Sequence, residues 1–302
     1  MAERVKMAPF KSGFISILGR PNVGKSTLFN YLLGDKMAIV SEKPQTTRNR
    51  ILGIKNVDGA QLIFLDTPGI HEGRSALNQR LAATALATGK DSDVNLFMVE
   101  ASSPASQQDQ KMIASVKGSR AVPFLVINKI DLVKKERILP MIDSYQHLHP
   151  FREIVPISAA TGEGVDGLVA SIMNYLPESP PLYPEDMITD QTERFIVSEI
   201  IREKVIQQAY QEIPHCTAVT IEAFEEHPDR NLVAIRSILY VERLSQKKIL
   251  VGKGGQRLRG IGEGARKDVE AFLGKRVFLE LWVAVAENWT KDPRALDRLG
   301  YS

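Results

Sequence analysis

Four short polar stretches in the first half of the chain carry residue types that could together hold a nucleotide. The first, Gly19-Arg20-Pro21-Asn22-Val23-Gly24-Lys25-Ser26, has the spacing G-x-x-x-x-G-K-S. Its glycines let backbone N–H groups approach a polyphosphate, and the N-terminus of the following helix, entered through Thr27, adds partial positive charge. Lys25 is placed to reach the β- and γ-phosphates and the Ser26 hydroxyl to ligate Mg²⁺. The second stretch is Asp66-Thr67-Pro68-Gly69, where Asp66 can hold Mg²⁺ through water and Gly69 can offer its N–H to a γ-phosphate. The third, Asn128-Lys129-Ile130-Asp131, supplies a base filter. The Asp131 carboxylate can accept from both N1–H and N2–H₂ of guanine, adenine has no such donor pair, and a mismatch of that kind is worth ~10⁴-fold. The Lys129 stem can lie over the base. In the fourth, Ser158-Ala159-Ala160, the Ala159 N–H is assigned to guanine O6 from its place in the order along the chain.

These loops require a scaffold that delivers each at the end of a strand. Apolar runs at Gly13–Leu18, Ile51–Val57, Gln61–Leu65, Asn95–Val99, Val122–Ile127 and Ile154–Ile157 read as strands. Helical periodicity fills Thr27–Leu33, Leu77–Thr88, Gln107–Ser115, Ile138–Tyr145 and Gly167–Tyr175. The alternation predicts an α/β domain with a six-stranded, mostly parallel sheet covered by helices on both faces. Asp58-Gly59 predicts a hairpin and one antiparallel edge strand. Between the first helix and that hairpin, Met37 to Arg50 is polar and broken by Pro44, as a mobile segment beside a triphosphate should be. A threonine here could complete the Mg²⁺ shell only while the γ-phosphate is present; Thr47 is the candidate and Thr46 the alternative.

In this order, the motifs at Gly19–Ser26, Thr47, Asp66–Gly69, Asn128–Asp131 and Ser158–Ala160 resemble the five guanine-nucleotide loops of translation-factor-related GTPases. The resemblance implies that Lys25, Thr47, Gly69 and Asn22 serve hydrolysis. One position departs from the Ras-like pattern. Ile70 stands where a glutamine orients the attacking water, and an isoleucine cannot hydrogen-bond water. Asn22 resembles the asparagine through which related GTPases recruit a monovalent cation. K⁺, or an RNA or protein partner, is therefore the expected source of the missing charge stabilisation.

Leu176 to Pro184 has four prolines in nine residues, which no helix or central strand survives. The expected organisation is a GTPase domain at 1–178, a proline-rich linker at 179–188 and a second domain at 189–302. That second domain reads as helix (Glu193–Gln208), strands (Ala218–Glu222, Leu232–Val241), helix near Gln246–Leu250, helix at Ile261–Leu273 and a last strand at Lys275–Ala284. With Gly252-Lys253-Gly254-Gly255 between the paired helices, this α+β order resembles a type II KH domain, an RNA-binding module. Charge points the same way. From Arg243 to Arg276 ten basic residues face three acidic ones, whereas from Tyr183 onward the totals are eighteen and nineteen. A concentrated positive patch around a glycine loop is a phosphate-strand footprint. Its RNA-contacting candidates are Lys247, Lys248, Gly252, Lys253, Gly254, Gly255 and Arg257.

Taken together, the two halves resemble the Era-type GTPases along nearly all of the chain. The resemblance implies a GTP/GDP-controlled protein, acting as a monomer, that binds the 3′ region of 16S ribosomal RNA during assembly of the small (30S) subunit. It also implies a cytoplasmic location with peripheral contact on the inner face of the cell membrane. Two rivals belong to other classes. One is a signalling GTPase whose C-terminal domain binds protein or membrane, against which the glycine loop argues. The other is a phosphotransferase, against which Asn128–Asp131 argues. The 302-residue chain is 43% hydrophobic with one cysteine, Cys216, so a disulfide within the chain is excluded and a buried apolar role fits that residue. Met1 to Lys11 lacks an apolar core of signal-peptide length. His147 and His149 read as surface groups. Trp282 and Trp289 read as core and C-terminal packing, and Asn288–Leu299 as one closing helix.

Overall fold

The computed structural model describes residues 9–41, 43, 46–69, 75–116, 118–209 and 213–301. Ile70 and Pro44 lie outside the described residues, as does most of Met1 to Lys11. The chain forms two compact units.

In the first unit the order is β1 (Lys11–Gly19), α1 (Lys25–Leu33), β2 (Ile51–Val57), β3 (Ala60–Asp66), α2 (Ala76–Lys90), β4 (Val94–Glu100), α3 (Gln107–Ser115), β5 (Val122–Asn128), α4 (Ile138–Gln146), β6 (Glu153–Pro156) and α5 (Val165–Tyr175). The sheet runs β2-β3-β1-β4-β5-β6, parallel except for the antiparallel β2–β3 hairpin. β3 and β4 are near-continuous apolar runs because both faces are covered. Leu18, Phe97, Val99, Leu125 and Ile127 pack with Ala85, Met112, Ile113 and Met141 of α2, α3 and α4. Alternate residues face the other way, where the ring of Phe124 meets Tyr175 of α5 edge-on at 5.4 Å. The proline-rich stretch is fastened along this unit: Gln61 accepts from the amides of Leu182 and Tyr183, and Ile54 N–H donates to Ile188 O at 2.8 Å.

The second unit contains α6 (Glu193–Gln208), α7 (Ile213–Cys216), β7 (Ala218–His227), β8 (Leu232–Val241), α8 (Leu244–Val251), α9 (Gln256–Leu273), β9 (Arg276–Val285) and α10 (Pro293–Arg298). Its sheet is β7-β8-β9, antiparallel then parallel, with a bulge between Ile221 and Ala223. The described residues of 39–48 and of 75–80, the latter including the start of α2, group with this unit and not with the first.

The structure departs from the sequence-based expectations at four places. β7 continues past Glu222 to His227, because the bulge lets pairing with β8 resume beyond it. The closing helix is in two parts, a turn at Trp289–Lys291 and then α10, which the Asp292 side chain caps immediately before Pro293. Trp282 is 61% exposed on β9, opposite Ile238 of β8, whereas Trp289 is fully buried. Successive residues of a strand face opposite sides, and Trp282 falls on the side that buried Val277 and Val283 do not. Of the two histidines, His149 is half-buried against Phe97 and Phe151, while His147 is exposed.

Candidate functional site

The parallel strands β1, β3 and β5 end at the phosphate loop, at Asp66 and at Asn128, so the topology brings the sequence motifs to one edge of the sheet. Gly24 has φ of 100°, and a Cβ there would lie 2.2 Å from Asn128 Nδ2. Only glycine permits both that backbone and that approach. Asn128, 2% exposed, ties three loops together. Its Nδ2 donates to Val23 O at 2.8 Å, and its Oδ1 accepts from Ala159 N–H at 2.8 Å. The Ala159 amide, expected on guanine O6, is thus donated to Asn128, the buried acceptor beside it.

Ser26 Oγ donates to Asp66 Oδ2 at 2.8 Å, so two of the three expected Mg²⁺ ligands converge. Asp66 is fully buried. Thr67 Oγ1 donates to Ile17 O at 2.7 Å and fixes the start of the loop that follows. Gly69 sits against Pro21 of the phosphate loop, where a Cβ would come within 2.8 Å of Pro21 N. Lys25 Nζ donates to Gly19 O at 3.1 Å and Arg20 O at 2.9 Å. Burial pulls its pKa down to about 8, opposed by the nearby Asp66 carboxylate. A buried ammonium bonded to neutral carbonyls is poorly compensated and suited to an anionic ligand. Lys129 adopts a left-handed backbone with φ of 65° and its ammonium pairs with Glu100. Asp131 and Asn22 are exposed, the latter also left-handed with φ of 67°. Ser158 accepts at Oγ from Thr161 N–H, closing the fourth loop, and Ala160 is exposed.

The two threonines offered as alternatives for the switch, Thr47 and Thr46, lie in the second unit. Thr46 and Thr47 are both buried, and Thr46 Oγ1 donates to Lys43 O at 2.7 Å. Arg48, which the sequence reading passed over, is buried beside them. A lone arginine in a polar segment gives no signal in sequence that it will be interior.

In the glycine loop, Gly252, Gly254 and Gly255 have φ of 75°, 57° and 77°. That run would strain L side chains and opens directly into α9, whose first turn has no acidic residue. Lys253 and Lys248 are exposed, Lys247 is half-buried, and Arg257 Nη1 donates to Ile249 O at 2.8 Å, bracing the loop from within.

A family model described as "50S ribosome-binding GTPase" matches residues 14–129, and one described as "KH domain" matches residues 212–290. GTPase Era of Syntrophus aciditrophicus (strain SB) is 53% identical over 293 residues, covering 97% of this chain and 96% of that protein. The chain belongs to the Era family of GTPases. GTPase Era of Geobacter metallireducens is 52% identical over 294 residues, 97% of this chain and 99% of the relative. Among solved structures, a variant of Aquifex aeolicus Era bound to GDP.AlF4- superposes with a TM-score of 0.94 at 42% identity, covering 97% of this chain and 100% of that one. Era in complex with MgGDPNP and nucleotides 1506–1542 of 16S ribosomal RNA gives a TM-score of 0.94 at 42% identity, over 97% and 99% of the two chains. The expected architecture, a P-loop GTPase domain followed by a KH domain, therefore stands, and the chain is an Era-family GTPase.

Proposed function

We propose that the protein uses GTP binding and hydrolysis to control its grip on the 3′ region of 16S ribosomal RNA, and that it acts in this way during small-subunit assembly in the cytoplasm. The observation that carries the reading is that the segment Ile39–Arg48, holding both switch threonines, belongs to the same compact unit as the glycine loop. The solved Era complex with MgGDPNP and 16S nucleotides supports the choice of ligands. Among the described residues no helix is long and apolar enough to cross a membrane; a peripheral contact with the membrane's inner face is part of the proposed reading.

In this reading the GTPase domain spans 1–178 and the KH domain 189–302. Gly19 to Ser26 cradle the phosphates, Lys25 holds their charge, and Gly69 donates to the γ-phosphate. Asp131 reads guanine, Lys129 covers it, and Asn128 keeps the three loops in register. The converging oxygens of Ser26 and Asp66 suit a hard cation, and Thr47 is assigned as its further ligand when the γ-phosphate is present. Mg²⁺, when bound, neutralises charge on the β- and γ-phosphates. Exposed Asn22 is the assigned side-chain ligand for K⁺. Lys253, Arg257, Lys247 and Lys248 meet the RNA backbone beside the glycines.

The test measures affinity for an RNA of the 16S 3′ region in a non-hydrolysable GTP analogue and in GDP. Tighter binding with the analogue, lost in Lys253→Asp and weakening steeply with salt, is expected. Equal affinity in the two nucleotides would end the switch reading. Turnover in KCl above that in NaCl, abolished by Asn22→Ala, is the separate expectation for the cation.

A further inference from the structure

Arg48 is 2% exposed, yet among the described residues no carboxylate bonds it directly. Its guanidinium donates to Thr217 O at 2.7 Å, Pro214 O at 2.9 Å, His215 O at 3.0 Å and Tyr301 Oη at 3.1 Å. It lies 5.7 Å from the Trp289 ring centroid and 5.5 Å from that of Tyr301. Those rings are themselves stacked at 5.6 Å. The carbonyls it takes belong to the end of α7, where a short helix leaves its last acceptors without partners. Trp289 Nε1 takes the remaining one, Cys216 O, at 2.9 Å. The RNA-binding unit thus completes its own interior with a side chain from the segment that carries the switch threonines.

The other side of Thr47 is held as well. Arg202 on α6 donates to Thr46 O, and its guanidinium is fixed by both oxygens of Glu199. Lys43 Nζ donates to Ile206 O and Ala209 O at the end of the same helix. α6 in turn grips α9, the helix that the glycine loop opens: Gln208 Nε2 donates to Gly260 O at 3.2 Å, and Lys204 pairs with Asp268 at 2.6 Å. One helix therefore touches both the backbone at Thr46 and the helix behind the glycine loop.

We propose that Arg48 and Arg202 are positioning residues, a two-sided clamp through which the RNA-binding unit fixes the backbone on either side of Thr47. RNA on the glycine loop and a γ-phosphate at Thr47 then bias the same short segment, and each tightens the other. Burying a guanidinium among neutral carbonyls is costly, which singles Arg48 out from ordinary packing residues. The inference rests on the switch reading above and adds the residues that transmit it.

The test uses the full chain and an RNA of the 16S 3′ region, with affinity measured in a GTP analogue and in GDP. Coupling of this kind is typically about 5- to 150-fold. In Arg48→Lys, which keeps the charge but cannot reach the same carbonyls together, the ratio should fall close to one. Affinity in GDP should stay within about twofold of wild type, since only the coupling is removed. A merely structural defect would weaken RNA binding in both nucleotides alike, and that result overturns the clamp. So does a wild-type ratio in a folded Arg48→Lys. Should Arg48→Lys fail to fold, Tyr301→Phe, which removes one acceptor and keeps the ring, decides by the same comparison. A ratio of one in the wild type would instead sink the switch reading, and the clamp with it.

Discussion

Arg20 Nε, in the phosphate loop, donates to Asp109 Oδ1 at 2.8 Å, and Asp109 is fully buried at the start of α3. The carboxylate also accepts from Tyr145 Oη at 3.0 Å, from Ser106 Oγ at 2.7 Å and from Ser106 N–H at 3.0 Å. Ser106 caps α3 in a reciprocal capping box with the same aspartate. The Arg20 carbonyl holds Lys25 Nζ, so the α3 cap, the loop and the phosphate lysine form one connected set. Burial and the adjacent Asp109 push the Tyr145 phenol well above its ordinary range, keeping its proton available to the carboxylate.

Removing that carboxylate strands Arg20 and three further donors, Tyr145 Oη, Ser106 Oγ and Ser106 N–H. Asp109→Ala should cost about 3 kcal/mol of stability in urea unfolding, the lower end for breaking a buried pair because Arg20 is partly exposed. Tyr145→Phe, which loses one hydrogen bond and keeps the ring, should cost about 1 kcal/mol. An Asp109→Ala protein as stable as wild type would refute the bracing role.

Lys25 gives a pH signature. Its pKa is held near 8 by burial, and a polyphosphate beside it should raise that value again. Between about pH 8 and the higher value of the complex, nucleotide binding takes up a proton, so affinity falls as pH rises. Calorimetry of GDP binding in buffers of different ionisation enthalpy should show uptake growing from pH 7 to pH 9. Lys25→Arg, which stays protonated throughout, should show none.

The base filter can be inverted. Asp131→Asn replaces two acceptors with a mixed amide, turning a donor toward the N2–H₂ of guanine, whereas xanthine presents an oxygen at that carbon. The substitution should lower GTP affinity by about 10²-fold or more and favour XTP. Asn128→Ala removes partners from Val23 O and Ala159 N–H and should weaken every nucleotide, purine base notwithstanding.

The two tryptophans should behave oppositely. Trp289 is buried, stacked on Tyr301 and bonded to Cys216 O, so Trp289→Ala should destabilise by about 3–5 kcal/mol. Trp282→Ala, on the exposed face of β9, should change stability by less than about 1 kcal/mol. Acrylamide quenching of the two single-tryptophan proteins should be strong for Trp282 and weak for Trp289.

The sheet, its helices and the glycine loop were legible because each depends on local pattern. An apolar run closed by a glycine loop specifies a strand, its turn and the next helix wherever they fall in space. The meeting of Ser26 with Asp66, and of Asn128 with Val23 and Ala159, follows from loops that close strands of the same sheet. α7 was missed because four residues with an internal proline carry no period. Trp282 was misplaced because a tryptophan alone does not say which face of a strand it occupies.

What sequence alone determined was which short stretches bear polar chemistry: a G-x-x-x-x-G-K-S loop, an N-K-x-D stretch and a basic glycine turn, each written in consecutive residues. What only tertiary structure decided was company. Thr46 and Arg48 are more than 150 positions from their partners Arg202 and Thr217, as the hydrogen bonds at separations of 156 and 169 residues show. No local pattern can encode contacts of that range. They arise because buried carbonyls must find donors: those at the end of α7 take Arg48, and Thr46 O takes Arg202.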